Sequence, residues 1–145
     1  MTNKIEKLLS LYQSFIWCDT MKNYFFAHVQ ETKCELNGIL EDRAMTLLLY
    51  WYAGLWVVIE GWRHFQSIGF QDELIDAFLK DEGKINLLKD FRNSVLHFQK
   101  EFCENRFLKM LASGQQNIRW ACELNDEFNR FFSNIKLKKG EKNVS

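Results

Sequence analysis

Residues Leu47 to Ile59 read LLLYWYAGLWVVI, thirteen positions without a charge. The run is too short for a bilayer span, which takes about 20 apolar residues. It does not alternate apolar and polar residues as a half-buried strand does. It reads instead as a central helix buried on several sides, and that reading decides the fold class. The helix is expected from about Glu41 to Phe65, with Ser67 to Gly69 ending it.

The rest of the chain agrees with a helical bundle. There is no proline among 145 residues, where a frequency of roughly 5% is usual. Proline breaks helix interiors, so its absence suits helices joined by short connections. Apolar residues make up 47% and charged residues 26%, the balance of a globular domain. Nineteen positive charges face nineteen negative ones. That excludes a basic nucleic-acid coat but leaves room for a local basic site.

Helical spacing accounts for nearly every other segment. Asn3 to about Lys33 places Ile5, Leu8, Leu9, Tyr12, Phe15 and Ile16 on one face, either as one long helix or as two with a break near Asp19. Asn37-Gly38 reads as a turn. A short helix starts at Asp72, with Leu74, Ile75, Phe78 and Leu79 inward, and stops near Asp81 to Gly83. A further helix covers about Lys84 to Phe102, and a shorter piece Asn105 to Leu111. Ser113-Gly114 introduces the last helix, whose core spacing is Ile118, Ala121, Cys122, Phe128, Phe131, Phe132 and Ile135. The expectation is an all-α, single-domain bundle of about five to six helices over residues 1–137. A flexible charged tail over 138–145 follows.

Cys18, Cys34, Cys103 and Cys122 form no C-x-x-C pair, and no histidine lies at zinc-ligand spacing from them. They read as reduced thiols packed as small hydrophobes, and no metal or cofactor is expected. The opening segment carries Lys4, Glu6 and Lys7 inside an amphipathic pattern, unlike a signal peptide. The cytosol is the expected location, without a membrane partner. Trp51, Trp56, Trp62 and Trp120 are candidates for the core or an interface, with base stacking by Trp62 or Tyr52 as a further use.

The helix LLKDFRNSVLHFQKEF, Leu87 to Phe102, carries polar residues that a core does not need. At about 100° per residue, Ile85, Leu88, Phe91, Val95, Phe98 and Phe102 form a core stripe. Asn93 and His97 lie one turn apart on the opposite face, and Arg92 lies on the flank between. Leu96, beside Asn93, is an apolar residue on that outward side and suggests a cover, most simply a second subunit. The competing reading is an ordinary solvated face, with Arg92 paired to Glu60 or Asp90.

The stretch FRNSVLHFQ resembles the signature of the HEPN superfamily, the higher eukaryotes and prokaryotes nucleotide-binding proteins. That signature is an arginine, a polar residue that is often asparagine, three or more variable residues and a histidine, late in a helical bundle. Here it reads Arg92, Asn93, Ser94-Val95-Leu96 and His97. The segments VVIEGWRHF upstream and RWACELNDEFNRFF downstream also look like short stand-alone members. The resemblance implies an all-helical homodimer with the two signature helices facing each other across a cleft. It implies a metal-independent endoribonuclease with Arg92, Asn93 and His97 as catalytic residues and RNA as substrate. Some such proteins are toxins or defence effectors restrained by an antitoxin, so an antitoxin is an expected partner. Several toxins paired with nucleotidyltransferase antitoxins carry a tyrosine two residues after the histidine. This chain has Gln99 there, which speaks against control by tyrosine modification.

The residue chemistry suits that activity. A neighbouring 2′-OH can serve as nucleophile, so no protein nucleophile is required. A histidine exchanges protons near neutral pH, and an arginine offers a planar fork to phosphate oxygens as charge builds. A two-fold dimer supplies two such sets. Glu60 shares a helix face with Arg63 and His64 and is a candidate to hold Arg92. The alternative function is a non-catalytic helical module that binds a nucleotide, RNA or protein, and the balanced charge favours it.

Overall fold

The apolar run occupies the middle of a 26-residue helix, Asp42–Ser67, around which the other helices pack. The structure is a computed structural model that describes residues 2–32, 42–96 and 114–143. Among the described residues there are five α-helices and no strand. They are α1 (Thr2–Thr32), α2 (Asp42–Ser67), α3 (Glu73–Phe78), α4 (Glu82–Leu96) and α5 (Gly114–Asn143). The all-α bundle expected from the sequence is present. The Asn37-Gly38 turn and the Asn105 to Leu111 piece lie outside the described residues. So do His97, Cys34 and Cys103.

Helix α1 is unbroken through Asp19. It packs chiefly on α2, and α4 packs on another side of α2. Two glycines set how close α1 comes. A Cβ on Gly54 would lie 3.3 Å from both Cα and Cβ of Cys18, and one on Gly61 would lie 2.6 Å from Leu11 Cδ1. These contacts turn the helix. Leu11, Phe15, Cys18 and Phe25 are its buried residues, whereas Ile5, Leu9 and Ile16 are exposed. Of the face expected from apolar spacing, Phe15 is buried and Leu8 and Tyr12 pack against the core, while Ile5, Leu9 and Ile16 stay outside. Apolar residues occur around much of α1, and Leu11 and Cys18 are the ones that pack against the glycines of α2.

Helix α2 supplies the centre of the core, with Trp51, Tyr52, Leu55, Val58, Ile59 and Trp62 at most 1% exposed. Counted as a whole helix, Arg43–Ser67 is long and apolar enough to cross a membrane by length and composition. Half of its apolar window is buried inside the bundle.

The ends of the helices follow their local chemistry. Gly69 takes φ of 102°, a left-handed conformation that suits glycine. Phe70 N then donates to Phe65 O and Gly69 N to Gln66 O, both at 3.1 Å, which satisfies carbonyls at the end of α2. The rings of Phe65 and Phe70, 5.1 Å apart, close the cap. Asp72 caps α3 by accepting from Leu74 N and Ile75 N at 3.1 Å. Ile75 of α3 and Leu79 just after it point inward but Leu74 is exposed, against expectation. A helix of six residues buries one narrow stripe, and Leu74 falls beside it.

Helix α5 continues to Asn143, into the charged segment. Leucine, lysine and glutamate are good helix formers, which permits the extension. Large side chains join α5 to the other helices. Phe132 lies 5.2 Å from Phe15 and 5.3 Å from Tyr12, and Phe131 lies 4.9 Å from Trp62. A buried amide joins three helices. Asn125 Oδ1 accepts from Trp51 Nε1 at 3.3 Å and from Cys18 Sγ at 3.6 Å, while its Nδ2 donates to Asp19 Oδ1 at 3.0 Å. Arg130 forms a second tie, donating to Asp72 Oδ1 and to Glu127 Oε2 at 2.7 Å each. Asp76 accepts from Trp62 Nε1 at 2.9 Å and so links α3 to α2.

Candidate active site

Helix α4 presents Ile85, Leu88 and Phe91 to the core, the first half of the expected stripe. Phe91 meets Tyr52 of α2 with ring centroids 5.5 Å apart. This contact fixes the rotation of α4 and hence the position of the next two residues. Arg92 and Asn93 are both half-buried. Arg92 Nη1 donates to Asn93 Oδ1 at 3.3 Å. Arg92 Nε is buried and has no hydrogen-bond partner among the described residues. The two residues are thus brought together and partly sheltered, rather than spread over an open surface. His97 lies one residue beyond Leu96, outside the described residues.

Two further buried groups share that orphan character. Among the described residues, Tyr52 Oη and Trp56 Nε1 have no hydrogen-bond partner, although both residues are at least nine-tenths buried. They lie one turn apart on α2, on the side that meets α4. Arg63 continues this side. Its guanidinium sits 5.9 Å from the Trp56 ring centre and pairs with Glu82 of α4 at 3.8 Å. Burial pushes the Tyr52 phenol well above its ordinary range, and the nearby Cys122 thiol adds to the effect, so the hydroxyl stays protonated. Buried polar groups are usually paired, so a phenol hydroxyl, an indole N–H and a guanidinium Nε–H without acceptors among the described residues are unusual. Sequence reasoning missed Tyr52 and Trp56 in this role. Their i, i+4 spacing was visible, but the apolar run around them read as core.

Glu60 is not brought to Arg92. It lies two turns, about 12 Å along the axis, from Tyr52, the level at which α4 carries Phe91. It is exposed and lines a groove of about 350 Å³ with Lys7, Ser10, Ser14 and His64. Arg63 points to the α4 side instead, so the trio of Glu60, Arg63 and His64 is divided. Base stacking by Trp62 or Tyr52 is ruled out by burial, since neither ring reaches solvent.

The two thiols among the described residues, Cys18 and Cys122, are poor nucleophiles. Burial raises Cys18 far above the usual thiol range, with Asp19 adding to it, and burial likewise raises Cys122. Among the described residues, no three of histidine, cysteine, aspartate and glutamate gather as metal ligands. Comparison of the chain with protein-family models, curated proteins and solved structures found no match.

Proposed function

We propose that the protein is a homodimeric, metal-independent endoribonuclease of the HEPN type, acting in the cytosol as a toxin or defence effector held by an antitoxin. The observation that supports this reading is the pairing of Arg92 with Asn93 on α4, with a buried Arg92 Nε–H that has no acceptor among the described residues. An arginine that serves only as a solvated face has no reason to bury an unpaired donor. A phosphate oxygen is the acceptor that a guanidinium fork fits best.

In this mechanism the ribose 2′-oxygen attacks the adjacent phosphorus and the bond from phosphorus to the 5′-oxygen breaks. His97 from one subunit takes the 2′ proton, and its symmetry mate gives a proton to the departing 5′-oxygen. Arg92 stabilises the charge on the phosphoryl oxygens, and Asn93 holds the guanidinium in plane. A gel assay on RNA in excess chelator tests the reading. Wild type should cut RNA and leave a DNA copy intact, because DNA lacks the nucleophile. His97→Ala should lose about 10²- to 10⁴-fold in rate. Cutting that needs added magnesium, or that survives His97→Ala, would defeat the proposal. The balance of nineteen positive and nineteen negative charges favours a second reading, a binding module without catalysis. The same gel decides it, by a shifted band with no product.

A further inference from the structure

The outer side of the α1–α2 pair carries large side chains that the bundle leaves uncovered. Trp17 is 64% exposed, Tyr24 61%, Tyr50 47% and Val57 39%. Their spacing makes them one surface. Trp17 and Tyr24 are seven residues apart on α1, as are Tyr50 and Val57 on α2, so each pair lies two turns apart on one side of its helix. The helices run antiparallel, with Leu11 against Gly61 and Cys18 against Gly54. That register sets Trp17 near the level of Val57 and Tyr24 near that of Tyr50. The groove bordered by Ser10, Ser14, Val57, Glu60 and His64 shows that these flanks of the two helices adjoin.

We infer that this face, centred on Trp17, Tyr24, Tyr50 and Val57, joins two copies of the chain. The area suits that occupant. At 150–250 Å² for a whole aromatic side chain, the exposed parts of these residues sum to roughly 400 Å². A standard interface buries about 800 Å² per partner, a little over half of it apolar. The composition suits it too, since tryptophan and tyrosine are enriched at interface centres and charged residues are depleted there. The charged residues Lys7 and Glu60 lie at one end, with opposite signs, as a polar rim. A chain with no net charge does not repel its own copy. An antiparallel helix pair laid on its two-fold mate gives a four-helix packing, the self-complementary contact that a closed dimer requires. The face lies away from the α4 side of α2, so it does not rest on the proposed chemistry and is separate from any pairing of the Arg92 helices.

Light scattering coupled to size exclusion, without RNA, tests the inference. Wild type at micromolar concentration should have a mass that is a multiple of the 17.4 kDa monomer. Trp17→Glu with Tyr50→Glu should halve it, weakening self-association by roughly 10²-fold or more, while far-UV circular dichroism stays unchanged. Leu9→Glu changes an equally exposed residue on the other flank of α1 and should keep the wild-type mass. A monomeric wild type, a double variant of wild-type mass, or halving by Leu9→Glu instead would each overturn the assignment. Leu96→Glu probes the signature helices separately, so loss of RNA cutting in that variant leaves the mass result on Trp17 and Tyr50 to stand or fall alone.

Discussion

Replacing Asn125 by aspartate changes one atom at the junction of α1, α2 and α5, and its cost follows from the geometry. The oxygen that accepts from Trp51 Nε1 and Cys18 Sγ remains. The nitrogen that donates to Asp19 Oδ1 at 3.0 Å becomes an oxygen, so two carboxyl groups meet where a donor met an acceptor. Carboxylates that share a site cannot both ionise freely, and one is raised by about 2 to 3 pKa units. At about 1.36 kcal/mol per unit this is roughly 3–4 kcal/mol. Lys22, 3.3 Å from the same Asp19 oxygen, offsets part of it. The expected loss at pH 7 is therefore about 2–4 kcal/mol. Its pH dependence identifies the cause. The new carboxyl is raised in the folded chain and ionises near pH 3.9 in the unfolded one. The deficit relative to wild type should grow as pH rises from about 4 through the folded value, then level off. Asn125→Ala serves as control. It strands the Trp51 N–H and should cost about 1–3 kcal/mol with little change across pH. Urea unfolding followed by circular dichroism at several pH values measures both. An Asn125→Asp protein within about 0.5 kcal/mol of wild type at pH 7, or with a deficit that ignores pH, would refute the reasoning.

Arg92→Lys keeps the charge but not the planar fork, and RNA cutting should fall about 10²- to 10³-fold while the unfolding free energy changes by no more than about 1 kcal/mol. Asp72→Ala should cost about 1–3 kcal/mol by urea unfolding, since it removes both the cap of α3 and the partner of Arg130, whereas Asp72→Asn keeps a capping oxygen and should cost less than about 1 kcal/mol. Burial alone would raise the Asp72 carboxyl, but the hydrogen bonds from Arg130, Ile75 and Leu74 together hold it below its ordinary value. Its contribution is therefore complete above about pH 3.9 and is lost as pH falls through the lower folded value, so Asp72→Asn and wild type should converge in acid. Gly61→Ala should change the melting free energy by less than about 1 kcal/mol, because the tip of Leu11 can swing aside and alanine favours the helix. Gly54→Leu should cost at least about 1–3 kcal/mol, because the obstacle there includes the backbone of Cys18, which cannot swing.

The sequence was most informative where one local rule acted alone. The uncharged run marked α2, Gly69 marked its end, Asp72 marked the start of α3, and Ile85, Leu88 and Phe91 marked the inner side of α4. It misled where several faces were equally apolar. On α1, Ile5, Leu9 and Ile16 look as suitable for burial as Leu11 and Cys18, and the close approach of the latter two to Gly61 and Gly54 is not legible in the spacing. Asn125 was invisible as a hub, since its three partners come from α1 and α2, far away in the chain. At the candidate site, the adjacency of Arg92 and Asn93 was evident from order alone. The shelter around Arg92 was not, because it depends on how Phe91 seats α4 against Tyr52.

The amide at Asn125 also bears on how the chain leaves the ribosome. Its partners Cys18 and Asp19 are synthesised more than a hundred residues earlier. Helices α1, α2 and α4 can assemble as they emerge, each against a near neighbour in sequence, which is the quick route to a fold. Until α5 arrives, that assembly is an open trough. The rings of Phe15 and Trp62 lack Phe128, Phe131 and Phe132, and the indole N–H of Trp51 has no acceptor. Premature termination before Gly114 would therefore release a helical but adhesive fragment, with its oiliest side turned to water.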